Sequence, residues 1–593
     1  MRKIRIPAIL LCFLFLFTGC SGNVNTSDGI DTIDSTNSPG GTANVSDSID
    51  ILEDLENDLE EHDITIVIPP PAPDSSAERP ARPVTATVIL ADDNIKIEGS
   101  GANASGSILT ISADGVYEIS GTLSDGQIII DAPDKAVVEL VLSGVDISNS
   151  RNAAIYCKNC DDFIITLAEN TRNVLSDASN YIYDDVAKQE PNAAIFSKTD
   201  LNIGGSGWLT VNANFNHGIS SKDDLVIEGG GFTVTSAVDA IRGKDSLVIL
   251  DGKFELDAGG DGLKASSNEG AEFGYAQILG GEYTIKACGD AIQAETVLTI
   301  SGGTFSIITE GTPAGESDSQ KGLKAGLFLT VEDGTFHIIS RDDAVHSNLD
   351  AEINGGTFYI ETGDDGIHAS RNLYINGGEI EIPVCYEGFE GTVIEVNGGK
   401  SFIVSRDDAV SAAAGVPEAK VDAERDGNPN VYAVFNGGEL EAVSGGDTVD
   451  SNGNIYVNGG TLCLSAPPRP SYEGGLFCNG AVTISGGSVV QVGNLGVGLY
   501  AEEQPVLWVS HVEEQAEGSI LSLQDQSGST LLEITARKSF IQSVFTCAEL
   551  QLGSTYSVCI DGEKIIDVTL TDMITKIGDD GGEFTGGYRR GGW

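Results

Sequence analysis

From about residue 84 onward, apolar and polar positions alternate in short runs, and the runs close on glycine pairs. The pattern of apolar, any, Gly/Asp, Gly, any, aromatic or aliphatic is carried by Ile227-Glu228-Gly229-Gly230-Gly231-Phe232, Ile249-Leu250-Asp251-Gly252-Lys253-Phe254 and Ile278-Leu279-Gly280-Gly281-Glu282-Tyr283. It recurs through Ile300-Ser301-Gly302-Gly303-Thr304-Phe305, Val331-Glu332-Asp333-Gly334-Thr335-Phe336, Ile353-Asn354-Gly355-Gly356-Thr357-Phe358 and Ile375-Asn376-Gly377-Gly378-Glu379-Ile380. The leading apolar residue stands at 227, 249, 278, 300, 331, 353 and 375, a unit of 22 residues with insertions of seven to nine. Such a unit is too short for a helix pair and too rich in β-branched residues for one. It predicts one coil of a parallel β-helix, two or three short strands with glycine at corners that need positive φ. The leucine-asparagine ladder of leucine-rich repeats and the nine-residue spacing of calcium-binding nonapeptide repeats are both missing.

The repeat fades near residue 500. Val506-Leu507-Trp508-Val509-Ser510, Ile520-Leu521-Ser522-Leu523, Leu531-Leu532-Glu533-Ile534 and Thr555-Tyr556-Ser557-Val558 read as antiparallel strands, with Asp561-Gly562 as a turn. The expected all-β organisation is a solenoid over 84–500, a small C-terminal antiparallel β cap over 501–577 that shields the last coil, and a disordered glycine-rich tail over 578–593.

The other end carries different signals. Arg2, Lys3 and Arg5 precede an apolar run from Ile6 to Phe17 and then Thr18-Gly19-Cys20. This reads as a lipoprotein signal peptide over 1–20 with Cys20 as lipid acceptor, since the run is shorter than the roughly 20 residues a membrane span needs. Residues 21–83 are rich in Ser, Asp, Glu and Pro and read as a disordered tether. The expected location is extracellular, held to the cell membrane by the lipid alone.

With 89 acidic against 33 basic residues the chain has a net charge of −56, which repels nucleic acid and anionic membrane surfaces and favours cations. Cys157-Lys158-Asn159-Cys160 is a single pair without the second pair that zinc requires, so the cysteines read as buried thiols.

A second element runs beside the glycine corners: Asp, small, aliphatic, polar. It stands at Asp239-Ala240-Ile241-Arg242, Asp261-Gly262-Leu263-Lys264, Asp290-Ala291-Ile292-Gln293, Asp343-Ala344-Val345-His346, Asp365-Gly366-Ile367-His368, Asp408-Ala409-Val410-Ser411 and Asp447-Thr448-Val449-Asp450. Variants occur at Lys321-Gly322-Leu323-Lys324 and Glu387-Gly388-Phe389-Glu390, and the acid is doubled at Asp342-Asp343, Asp364-Asp365 and Asp407-Asp408. Stacked at the roughly 4.8 Å of adjacent strands, such carboxylates repel by about 3 to 4 kcal/mol at an effective dielectric near 20. A hard divalent cation relieves that repulsion, and calcium with its flexible oxygen shell suits the column better than magnesium. The doubled acids are the strongest positions for it; the competing role is an aspartate that caps a corner by accepting a backbone amide. The polar position three residues later varies freely. It is expected to point outward as a groove for an extended polymer, with His346 and His368 forming an exposed ladder and His346, His368, Arg242 and Lys264 as polymer contacts.

These units, the Asn-Gly-Gly turns and the Tyr556 segment resemble bacterial secreted carbohydrate-binding proteins whose right-handed parallel β-helix is like that of pectate lyases. The resemblance spans roughly 84 to 575. It implies a polysaccharide binder for cellulose- or pectin-type glycans that holds calcium through Asp261, Asp290, Asp342, Asp343, Asp364, Asp365, Asp407 and Asp408. The alternative on the same scaffold is a calcium-dependent lyase, with Lys264, Arg242 or Lys324, or the neighbouring Arg341 or Arg406, as the base. No copy of the unit departs from the repeat as a specialised active site would. A third reading is an adhesin or envelope spacer.

Overall fold

The computed structural model describes residues 69–70, 72, 82–183, 187–312, 319–413, 427–468, 473–494, 499–501 and 503–578. Cys20, the expected signal and nearly all of the expected tether and tail lie outside these residues. The chain divides into two units, Met1–Pro70 and Pro71–Trp593, and every described strand belongs to the second.

All described elements are strands, and 48 of them join one sheet. In the middle of the chain each repeat contributes three. A three-residue strand such as Val345–Ser347 is followed by a four-residue strand, Asp350–Ile353, and a six-residue strand, Thr357–Thr362. Each pairs in parallel with its counterpart one repeat earlier and one later, so three ladders run side by side. The register bears out the unit read from the sequence: Leu263 faces Ile241 and Val345 faces Leu323 at 22 residues, while Ile292 faces Leu263 at 29 and Leu323 faces Ile292 at 31. This is the pattern of a solenoid.

Alternation determines what is buried. Along Glu282–Ala287 the exposed and buried residues alternate strictly, placing Tyr283, Ile285 and Ala287 inside. The aromatic position of each unit therefore stacks on itself: Phe232, Phe254, Tyr283, Phe305, Phe336 and Phe358 form a continuous pile with centroid separations of 4.5 to 5.0 Å and rings within 8° of parallel. The corner before each of these strands needs glycine. At Gly356 φ is +97°, and an added Cβ would lie 3.0 Å from the Gly334 carbonyl oxygen.

The asparagine of the Asn-Gly-Gly turns forms a second pile, on the surface. Asn376 Nδ2 donates to Asn354 Oδ1 and Asn397 Nδ2 to Asn376 Oδ1, both at 2.8 Å, and the chain continues through Asn436, Asn458 and Ser485. Because these bonds are exposed, Asn376→Ala is expected to cost only about 1 kcal/mol. The urea midpoint measures this, and an unchanged midpoint would show that the ladder is ornamental.

At the far end the strand Ser488–Val492, parallel to its neighbour on one edge, meets Phe540–Thr546 antiparallel on the other. A separate antiparallel sheet runs Thr530–Thr535, Ile520–Gln524, Thr555–Ile560, Glu563–Thr569, with Asp561 and Gly562 both at positive φ in its tightest turn. The strand Val506–Gln515 departs from the expected pattern on one edge, where it pairs in parallel with Ile574–Ile577. The eight described cysteines are free thiols, six of them buried.

Candidate cation and ligand column

The Asp units sit at the corner that leads into the three-residue strands, and each carboxylate has two distinct oxygens to spend. Oδ1 turns along the stack and accepts the backbone N–H of the equivalent residue in the next coil. Asp239 Oδ1 accepts from Asp261 at 3.1 Å, Asp261 from Asp290 at 2.8 Å and Asp290 from Lys321 at 2.8 Å. Asp343 accepts from Asp365 and Asp365 from Glu387, both at 3.1 Å, Asp408 from Asp447 at 2.6 Å, and Asp447 from Gly474. The corner-capping role is thus real for one oxygen of each aspartate. The other oxygen remains for a cation.

The residue three positions later does not form the expected outward groove over the first part of the column; it folds back as a counter-charge. Lys264 Nζ lies 2.7 Å from Asp261 Oδ2 and Arg242 Nη1 3.6 Å from Asp239 Oδ2, while Asp290, whose own third residue is Gln293, takes Lys324 Nζ of the next coil at 3.2 Å. The reason is burial: these aspartates are nearly closed to solvent, and an ionised carboxylate there needs a partner. The histidines differ from the expected exposed ladder for the same reason. His346 is 8% exposed and its Nδ1 lies 2.7 Å from Asp343 Oδ2. His368 Nδ1 lies 3.1 Å from Glu390 Oε2, 3.5 Å from Asp343 Oδ2 and 3.7 Å from Asp365 Oδ2, and the two rings meet edge to face.

The doubled acids are not equivalent. Asp342, Asp343 and Asp364 bring their oxygens within 4.8 Å of one another, but Lys321 Nζ sits 2.8 Å from both Asp342 Oδ1 and Asp343 Oδ2. An ammonium group already does what a metal ion would. Burial raises the Asp343 carboxyl, yet His346, His368 and Lys321 together outweigh it and hold the group well below the usual carboxylate range.

Along the column the third-position residues stack in the order Arg242, Lys264, Gln293, Lys324, His346, His368, Glu390, Ser411, Asp450. The series drifts from basic to acidic. The corner series over the last coils reads Asp365, Glu387, Asp408, Asp447, so carboxylates there meet carboxylates. Among the described residues no lysine or arginine pairs with Glu387, Asp408, Asp447 or Asp450. Burial and then Asp450 push Asp408 up to about 8, burial and then Asp365 push Glu387 up to about 7, and burial with Glu473 and Asp407 carries Asp450 to about 7. Glu387 Oε2 is buried without a hydrogen-bond partner among the described residues. The side chains of Glu387, Asp408, Asp447 and Asp450 offer only oxygen, the donor type that calcium takes, but they are not among the acid groups whose oxygens gather within 4.8 Å, which are those around Asp343 and Asp365. Asp407 and Asp408 are therefore the doubled pair left without a built-in ammonium, and Glu387, Glu390, Asp447 and Asp450 join them. Their signal in the sequence is the drift of one repeat position, not any motif.

One of the lysines offered as a lyase base, Lys264, carries the wrong charge for that role. Burial lowers the Lys264 pKa, but Asp261 and Asp239 outweigh it and raise it, so the side chain stays an ammonium; a general base must be neutral.

The description "carbohydrate-binding domain-containing protein" belongs to the family whose model matches residues 105–366. A carbohydrate-binding domain-containing protein of Acetivibrio thermocellus is 37% identical over 229 residues, 38% of this chain and 80% of that protein. The chain belongs to this carbohydrate-binding family. A solved structure described as a polysaccharide lyase-like protein from C. thermocellum, gadolinium derivative, is 31% identical, covers 47% of this chain and 92% of its own, and superposes with a TM-score of 0.35. In this carbohydrate-binding protein the family match takes in the charge-compensated coils up to Asp365, and the acid-rich coils from Glu387 onward follow it.

Proposed function

We propose that the chain is a surface-anchored polysaccharide-binding protein, its ladders closing into a right-handed parallel β-helix and its acid-rich coils holding calcium. Membership of the carbohydrate-binding family supports the polysaccharide. The observation that carries the calcium is the drift in the residues that face the acids: Arg, Lys and His side chains partner the column as far as His368, and from Glu387 to Asp450 no described base takes over. The ion would be held by Glu387, Asp408, Asp447 and Asp450, with Asp407 beside them, and would let an acidic glycan approach an acidic protein. Export through the signal and a lipid on Cys20 complete the reading.

Retention on cellulose and on polygalacturonate, with calcium and with chelator, tests it while absorbance of unsaturated products is recorded. Retention without absorbance is expected; absorbance would favour the lyase, and no retention on either polymer sinks both. The ion has its own test. Asp→Asn keeps Oδ1 as an acceptor for the next coil and removes only the charge, so Asp408→Asn with Asp450→Asn should weaken calcium binding by more than about tenfold in calorimetry. Asp261→Asn, at a position already served by Lys264, should leave calcium binding unchanged. Equal losses in the two variants would remove the acid-rich coils as the site.

A further inference from the structure

Two of the buried thiols face each other. Cys157 lies on the strand Ile155–Asn159, and Cys160 stands in the corner that leads to the strand Asp162–Leu167. Their sulfurs are 3.4 Å apart, and Thr199 Oγ1 of the next coil lies 3.9 Å from Cys157 Sγ and 3.6 Å from Cys160 Sγ. This corner is longer than those that stack on it. Cys157 faces Ser197 and Asp162 faces Asp200, so the two positions are five residues apart here and three in the next coil. They are again three apart at Ser221 and Asp224 and at Gly243 and Ser246. The two extra residues turn Cys160 back against Cys157. Hydrogen bonds fix the turn, from Asn159 Nδ2 to the Ala132 carbonyl at 2.6 Å and from the Asp161 N–H to the Ala136 carbonyl at 2.8 Å. Among the described residues no third sulfur or imidazole gathers with the two thiols, so a zinc ion would find two of its four ligands. No second pair of described cysteines is joined in this way.

We infer that Cys157 and Cys160 are a modification site, a dithiol that a disulfide-donating oxidant closes to an intramolecular disulfide. The inference goes beyond the polysaccharide-binding reading and is independent of glycan and calcium; it takes from that reading only the exported location, where disulfides persist. The step is a thiol–disulfide exchange. The Cys160 thiolate attacks one sulfur of the donor's disulfide, that S–S bond breaks, and a mixed disulfide forms as the donor's first thiolate leaves. The Cys157 thiolate then attacks Cys160 Sγ, the Cys157–Cys160 bond forms, and the donor's second thiolate leaves. The pair gives up two electrons, the donor disulfide takes them, and the two cysteine protons end on the donor's thiols. Cys160 suits the first attack: the Cys157 thiol beside it lowers its pKa against the effect of burial, and it is 4% exposed where Cys157 is fully closed to solvent. Drawing the sulfurs from 3.4 Å to the roughly 2.05 Å of a disulfide asks for small rotations of two short side chains. Packing alone does not account for the pair. The residues stacked after Cys157 are Ser197, Ser221, Gly243 and Ala265, so the position needs a small side chain and no sulfur.

Oxidised glutathione, applied to the full chain during refolding and then held at equilibrium with its reduced form, tests the site. Free thiols are capped with maleimide in denaturant, and the chain is digested with trypsin without reduction. Trypsin cleaves after Lys158, between the two cysteines, so a Cys157–Cys160 disulfide joins the peptide 152–158 to the peptide 159–172. The joined peptides are expected as the main oxidised product and should separate on reduction. Because the fold holds the sulfurs face to face, the equilibrium constant for closure against glutathione should be about tenfold or more higher in the folded chain than in the same chain in urea. Cys157→Ser places at this position the residue of the next two coils, so it should fold as the wild type does, with an unchanged circular-dichroism spectrum. It should abolish the joined peptides and the gap in melting temperature between the oxidised and the reduced chain. Recovery of both peptides carrying only maleimide or glutathione overturns the inference. So does either cysteine joined to a different one, or closure no more favourable in the folded chain than in urea. None of these results bears on polymer retention or calcium binding, whose failure would leave the thiol pair standing.

Discussion

In chelator, raising the pH from 4 to 8 is expected to lower the melting temperature of this protein, and millimolar calcium is expected to abolish the loss. The acids responsible are Asp408, Glu387 and Asp450, whose folded pKa values stand at about 8, 7 and 7, well above those of exposed carboxylates. Below about pH 4 the folded and unfolded states both keep these protons, and the folded state bears no penalty. Above that, the unfolded chain releases them while the folded chain retains them. Stability therefore falls steadily until pH reaches the folded values, and each unit of pKa difference is worth about 1.4 kcal/mol, several kcal/mol in all. Calcium bound to the ionised carboxylates removes the difference. Asp343 has the opposite sign, because its depressed pKa gives stability that is lost only on acidification below the ordinary carboxylate range, so the two responses occupy separate windows. Hydrogen exchange should show coils around Asp408 opening as pH rises. A melting temperature that is flat or rising between pH 4 and 8 in chelator would refute the unbalanced acid column.

Phe305→Ala is expected to be among the most damaging single core substitutions, costing about 4 to 8 kcal/mol. Truncating a buried phenylalanine costs about 3 to 5 kcal/mol, and each lost aromatic contact about 0.5 to 1.5 more. Phe305 is 2% exposed and makes two such contacts, with Tyr283 at 4.6 Å and Phe336 at 4.8 Å. Its place in the middle of the pile matters, since a solenoid coil is stabilised by its two neighbours and the cavity cannot be closed from either side. Phe305→Leu keeps most of the volume and should cost less than half as much. Guanidinium unfolding measures both, and a loss below about 1 kcal/mol for the alanine variant would show that the coils relax around the gap.

Much of this was open to reading in one dimension. The aromatic pile is visible in the repeat because a residue six positions into a 22-residue unit must stack on its copy, and the glycine before it because that corner turns at positive φ. The aspartate column is visible for the same reason. Which of its members are neutralised was not, and the expected groove of third-position side chains gave way to ion pairs once burial was known. Lys321 stands in the place of an acid in its own unit, and only the stacking of the next coil brings its ammonium against Asp342 and Asp343.

The sequence by itself determined the period, the inward positions, the glycine corners and the line of carboxylates, because each of these repeats locally and needs no knowledge of distant pairing. Only the tertiary structure decided which part of that line is neutralised and which part stays acidic. Both depend on register across coils of unequal length, 29 residues between Leu263 and Ile292, 39 between Ser411 and Asp450, 40 between Ile155 and Ile195. A charge is balanced by whatever lies within a few ångströms in the next coil, and an irregular insertion sets that neighbour in space without marking it in the chain.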